Sequence, residues 1–259
     1  MRTTQLAGIA FSGLLSVFAA VSAGQAQVPG CPVNHDQLAA ALKKSVKPSG
    51  GPANGGFDTH QWASVVMRDG TVCAVAFSGN KPDDQWPGSR GIAAQKANTA
   101  NAFSVAQTAI SSANLFAQAQ PGQSLFGITH ASPPAPDMNA GDPAQFGTPS
   151  DPMVGKRIGG IIVFGGGLAL YNESGVVGAL GLSGDSSCAD HNVAWRVRQA
   201  LGLDKVPAGL SPTRKDAIIY DIGGAQDKSA SGFGHVKCAG TEAEIAEQLQ
   251  AGVTGPLYK

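Results

Sequence analysis

Apolar and polar positions along the chain switch between helical and extended periods, and the switches mark the elements. Asn34, His35 and Asp36 can cap a helix in which Leu38, Ala41, Leu42 and Val46 share one face, and Lys47-Pro48 ends it. After a glycine-rich link, Trp62 to Met67 and Val72 to Phe77 are short β-branched runs joined by Arg68-Asp69-Gly70, a hairpin with an Asp-Gly turn. Ser89 opens a helix with Ala93, Ala97, Ala100 and Phe103 on one side, and a second helical stretch is predicted from Val105 to Gln118. Ile158 to Phe164 reads as a strand broken by Gly165-Gly166-Gly167. Leu168 to Tyr171, the turn Asn172 to Gly175 and the return run Val176 to Leu182 then form a second hairpin. Val193, Val197, Ala200 and Leu201 lie on one face of the next helix, which Gly202 stops. A strand over Ala217 to Ile222 and a last helix over Thr241 to Ala251, opened by a Thr241-x-x-Glu244 capping box, complete the pattern.

This order predicts an α+β fold, a mostly antiparallel sheet flanked by helices. Gly178 and Gly181 in the return strand imply that something lies flat against it, whether a helix, a neighbouring subunit or a ligand. Two irregular segments interrupt the pattern. Ser78 to Gly91 carries Trp86 between prolines, which we read as a plug on the core rather than a lid. Pro121 to Pro152 is proline-rich and long enough to serve function or subunit contact.

Charge changes the picture by exclusion. Lys plus Arg and Asp plus Glu number 18 each, so no field is available to collect nucleic acid or an anionic membrane. The start of the chain adds a location. Arg2, the apolar stretch Leu6 to Val21 and small residues at Ala23 and Ala26 read as a secretory signal over 1–26, so the mature protein is expected in the periplasm or secreted, off the membrane. A retained anchor is the weaker alternative, because the run is short for a span.

Cys31, Cys73, Cys188 and Cys238 are then read first as two disulfides, with three connectivities open. We favour Cys188 with Cys238, tying the C-terminal tail to the head of a core helix, and Cys31 with Cys73. A rival reading is a tetrahedral Cys2His2 metal site from Cys188-x-x-His191 and His235-x-x-Cys238.

Gly166 to Leu170, the turn, Val177 to Gly184 and the helix start Asp190 to Ala194 form an ordered series that resembles the second half of GlcG/HbpS-like haem-binding proteins, a fold shared with the C-terminal domain of PduO-type proteins. The hairpin after an N-terminal helix and the segment Ala93 to Ala100, which bears Lys96, extend the resemblance upstream. It implies profilin/PAS-like layering in a domain over 32–203; the extension 204–259 lies outside the family core and is expected to pack on the same domain.

The resemblance also implies haem, or a related tetrapyrrole, in a groove between helices and sheet, with a homo-oligomer as the expected assembly. Haem needs an axial donor, usually histidine, and cationic groups for its propionates. His35, at the start of the first helix from which some family members supply a ligand, and His130, in the proline-rich loop, are the candidate donors. Lys96 and Arg90 are the candidate cations.

Dinucleotide and nucleophile-elbow signatures fail: Gly165-x-Gly167 lacks its third glycine, and Gly181-x-Ser183-Gly184 has the wrong spacing. Whether the protein is an enzyme stays open. The alternatives to haem binding are weak haem degradation, a small-molecule enzyme or accessory protein using Asp190 and His191, and the Cys2His2 site.

Overall fold

A computed structural model describes residue 1 and residues 28–210, 215–223 and 228–252. Apart from residue 1, the signal segment read from the sequence lies outside the described residues. The helices are α1 (His35–Ser45), α2 (Ser89–Phe103), α3 (Ile128–Ala131), α4 (Ser187–Ala200) and α5 (Glu242–Gln250). The strands are β1 (Trp62–Met67), β2 (Val72–Phe77), β3 (Gly167–Asn172), β4 (Gly175–Ser183), β5 (Ile222–Gly223) and β6 (Lys228–Ser229). Strands β2-β1-β4-β3 form one antiparallel sheet, and β5 and β6 form a small separate pair. The α+β architecture expected from the sequence is present.

Both sheet faces are covered, which explains why β1 and β2 are apolar almost throughout rather than alternating. Ala63, Val65, Leu168, Leu170, Leu180 and Leu182 pack with α1 and α4 in one core cluster. Trp62, Val66, Val75 and Ala179 pack with the alanine face of α2 in another. Gly181 is what lets α2 lie so close: a Cβ there would stand 1.9 Å from the carbonyl oxygen of Ala93. The flat contact predicted at this glycine is therefore made by a helix of the same chain. At Gly178 the close neighbour is the Val66 carbonyl of β1, not a second subunit.

The sheet edges are closed by backbone from the loops. Val72 exchanges hydrogen bonds with Gly155 and Lys156, and Tyr171 does so with Leu203 and Lys205. With the β3 edge taken, Ala217 to Ile222 has no strand to join; only Ile222 pairs, in the small ribbon. The predicted strand Ile158 to Phe164 is not one either. Gly159 and Gly160 sit at φ 64° and 76°, and the backbone bonds to α2 side chains instead, Asn98 to the Gly160 carbonyl and Ile162 N–H to Thr99.

The helix expected over 105–118 is replaced by two 3-10 turns, Ser112–Leu115 and Ala117–Ala119. Ser104 and Ser111 draw backbone and side-chain partners away from a helical ladder. Asn34 caps α1 in a full capping box with Gln37. The box expected at Thr241 does not form: the Thr241 N–H donates to the Gly55 carbonyl, and its side chain makes no capping bond. Trp86 is 49% exposed and leans on Phe57 at 5.9 Å, so it is not a core plug.

Both favoured disulfides are present, Cys31–Cys73 and Cys188–Cys238. Cys188 and Cys238 are thus spent on each other, and the Cys2His2 metal reading is overturned. Among the described residues no group of three or more His, Cys, Asp or Glu side chains could hold a metal ion.

Candidate functional site

Three buried ion pairs hold segments that are far apart in sequence onto the sheet and its helices, and two of them consume the cations expected to meet propionates. Lys96 extends from α2 to Asp190 at the head of α4, Nζ to Oδ2 2.7 Å, with both side chains 2% exposed. The glycine loop closes over this pair. A Cβ at Gly166 would come 3.1 Å from Lys96 Cδ, and one at Gly167 would strike the Lys96 carbonyl. Burial pushes the Asp190 carboxyl up, while Lys96 and the backbone N–H of Asp185 pull it down.

Arg90 grips Asp151 with two nitrogens and lies over the Phe146 ring at 3.9 Å, anchoring the proline-rich segment. Arg198 of α4 does the same for the tail through Asp216, at 2.5 and 3.0 Å. Lys96 and Arg90 are therefore internal struts rather than groups lining a groove.

The histidines do not converge. His35, its side chain 22% exposed, places Nε2 2.9 Å from the Gly147 carbonyl and Nδ1 3.1 Å from Asp36. The Gly147 N–H in turn donates to Asp151, the partner of Arg90, so His35 and Arg90 meet only through this turn. His130 is exposed on α3 and shares no hydrogen-bond partner with the other three candidates. His60 bonds to Ser78.

His191 is buried in α4 with both ring nitrogens unpartnered, and Asp190 is equally enclosed. Neither is presented to a substrate in this fold. The two faces of the sheet, where the groove was expected, are packed with apolar side chains against α1 and α4 on one side and α2 on the other.

His235, from the tail, is buried behind the Phe116 ring. Its Nδ1 faces the Val236 carbonyl at 2.7 Å, and Nε2 accepts from the Gly165 N–H at 3.3 Å. Burial holds His191 well below its ordinary value and lowers His235 to about 4. Because the folded His235 binds its proton less readily than the unfolded one, stability is present above pH 6.5 and is lost as pH falls toward 4. Asp190, raised by burial, works in the opposite sense, so a difference measurement is needed. The unfolding free energy of the wild type relative to His235→Gln should fall by about 3 kcal/mol between pH 7 and pH 4. A difference independent of pH would show that this imidazole is not held neutral.

Open space is found elsewhere among the described residues. A cavity of about 700 Å³ lies between residues 116–123 and the tail residues 222 and 228–237. Phe116, Pro121, Ile222 and Val236 supply its apolar walls, and Lys228 and Lys237 supply its cations. No histidine lines it. Nothing in the sequence pointed here, since the stretch 105–118 read as plain helix and the tail carried no motif.

No curated protein matches this chain by sequence. Among solved structures, Klebsiella pneumoniae protein ORFY aligns at 23% identity and TM-score 0.44, over 64% of this chain and 86% of that one. A PduOC:heme complex aligns at 24% and 0.42, over 64% and 89%, and HbpS at 17% and 0.36, over 66% and 90%. The family model described as haem degrading protein HbpS-like matches residues 58–198, a span that runs from β1 through α2 and the glycine-bearing hairpin almost to the end of α4. With more than half its length in that match, the chain belongs to the HbpS-like family.

Proposed function

We propose that this is an exported protein that binds haem or a related planar tetrapyrrole. The observation that carries the reading is the match of residues 58–198 to a family described as haem-degrading. One structurally similar protein, PduOC, is known as a heme complex. Two disulfides support an oxidising destination, the periplasm or the medium.

The fit of the residues to haem is uneven. Between helices and sheet there is no room, and Lys96 and Arg90 already hold carboxylates. His35 fits better: its imidazole is partly exposed at the start of α1, and a backbone carbonyl is the only partner of Nε2. Bound there, haem would bring its own redox chemistry. The chain's contribution would be the His35 Nε2, released from the Gly147 carbonyl, with Nδ1 still oriented by Asp36. This donor lies outside the matched span, so its role rests on the resemblance of the first helix.

Titration with hemin should give a saturable Soret change at one equivalent per chain, lost in His35→Ala and retained in His130→Ala. A featureless titration would end the reading. Retention in His35→Ala would move the ring elsewhere. The family description favours one further reading, haem degradation, and peroxide should then consume bound haem faster than free hemin. Homo-oligomer formation belongs to the same proposal and is measured by light scattering.

A further inference from the structure

We infer that the 700 Å³ cavity built by the C-terminal tail is a second binding site, for an organic anion with an apolar body. Its volume falls in the range of small-molecule pockets. Its walls combine the Phe116 ring and the side chains of Ile222 and Val236 with the ammonium groups of Lys228 and Lys237. Among the described residues neither lysine has an ion-pair partner, in contrast to Lys96, Arg90 and Arg198. Among the described residues no carboxylate lines the space. Asp221, next to Ile222, is turned onto the Ser229 hydroxyl at 2.7 Å and the Ser231 N–H at 2.6 Å.

Two cations beside an apolar wall, with no counter-charge among the described residues, select for an anion, and the apolar area selects for one carrying a hydrophobic body. Among the described residues no histidine, cysteine, methionine or tyrosine lines the cavity. Lys228 and Lys237 lie outside the family-matched span, so the cationic wall is the tail's own, while the wall from Phe116 to Gln123 lies inside that span.

A matched pair of probes isolates the charge: 8-anilinonaphthalene-1-sulfonate and its uncharged counterpart N-phenyl-1-naphthylamine. The full-length mature protein should bind the sulfonate saturably at one equivalent, with enhanced fluorescence. Lys228→Gln combined with Lys237→Gln should weaken the sulfonate about tenfold and leave the uncharged probe within about twofold. Val236→Glu, at a position exposed enough to preserve folding, should weaken the sulfonate further.

His35→Ala should leave sulfonate binding unchanged even where it abolishes hemin binding. A protein that fails to take up hemin yet meets these expectations therefore loses the first reading and keeps this one. Displacement of the sulfonate by hemin, itself an apolar dicarboxylate, would place the ring in this cavity. Absence of saturable binding, or equal binding of both probes regardless of the lysines, would overturn the proposal.

Discussion

Replacing Asp190 by alanine should lower the unfolding free energy by about 3–5 kcal/mol, because it strands the Lys96 ammonium in the interior. Lys96 and Asp190 are each 2% exposed, and the glycine loop that covers them leaves no path for the lysine to reach water. The loss comes from an uncompensated buried charge rather than from the strength of the pair. The double variant Lys96→Met with Asp190→Leu should therefore recover most of what the single change costs. Urea unfolding of the three proteins measures this. If Asp190→Ala is as stable as the wild type, the pair is not closed off from solvent. By contrast, Asp83→Ala should go unnoticed, since the Lys81–Asp83 pair has both side chains about two-thirds exposed.

The second large effect is expected at the Cys188–Cys238 bridge. It closes a segment of 50 residues, for which the loop-entropy relation gives about 4 kcal/mol at room temperature. Cys188→Ala with Cys238→Ala should fall in stability by that order. The tail has other anchors, Asp216 on Arg198 and Glu242 on Ser186, so the sheet and its helices should stay folded while the tail loosens first. Hydrogen exchange would show protection lost over 215–250 before β1 and β4. Sulfonate binding should weaken in parallel, because Ile222, Lys228, Val236 and Lys237 of the tail line one side of the cavity. Uniform loss of protection across the chain would instead make the bridge part of the central fold.

Local signals read well where they depend on neighbours in sequence. Asp69-Gly70 and Asn172 to Gly175 mark the turns of the two hairpins that make the sheet, and the alanine spacing from Ala93 to Ala100 marks the buried face of α2. The even cysteine count, in a chain read as exported, pointed to two bridges, and two are found. The errors share a cause. Ile158 to Phe164 and Ala217 to Ile222 have the composition of strands, but β2 and β3 give their edges to residues 155–156 and 203–205 instead. A strand needs a partner as well as a propensity. Val105 to Gln118 has helix-compatible spacing, yet its serines bond locally and split it into turns.

The candidate site divides along the same line. Lys96 and Arg90 were recognisable as unusual cations, but a buried ion pair and a ligand contact present the same letter in the sequence. Only the fold placed Asp190 and Asp151 against them, across separations of 94 and 61 residues. Taken alone, the chain pointed to its hairpins, to the faces of most of its helices and to two disulfides with their pairing open, because these follow from short-range periodicity and residue chemistry, and an ordered series of segments pointed to its family. Tertiary structure alone decided that both sheet faces are packed by helices, that His35 and His130 lie apart, and that a cavity opens where the tail meets residues 116–123. Those outcomes depend on which distant surfaces close-pack, and no local pattern carries that information.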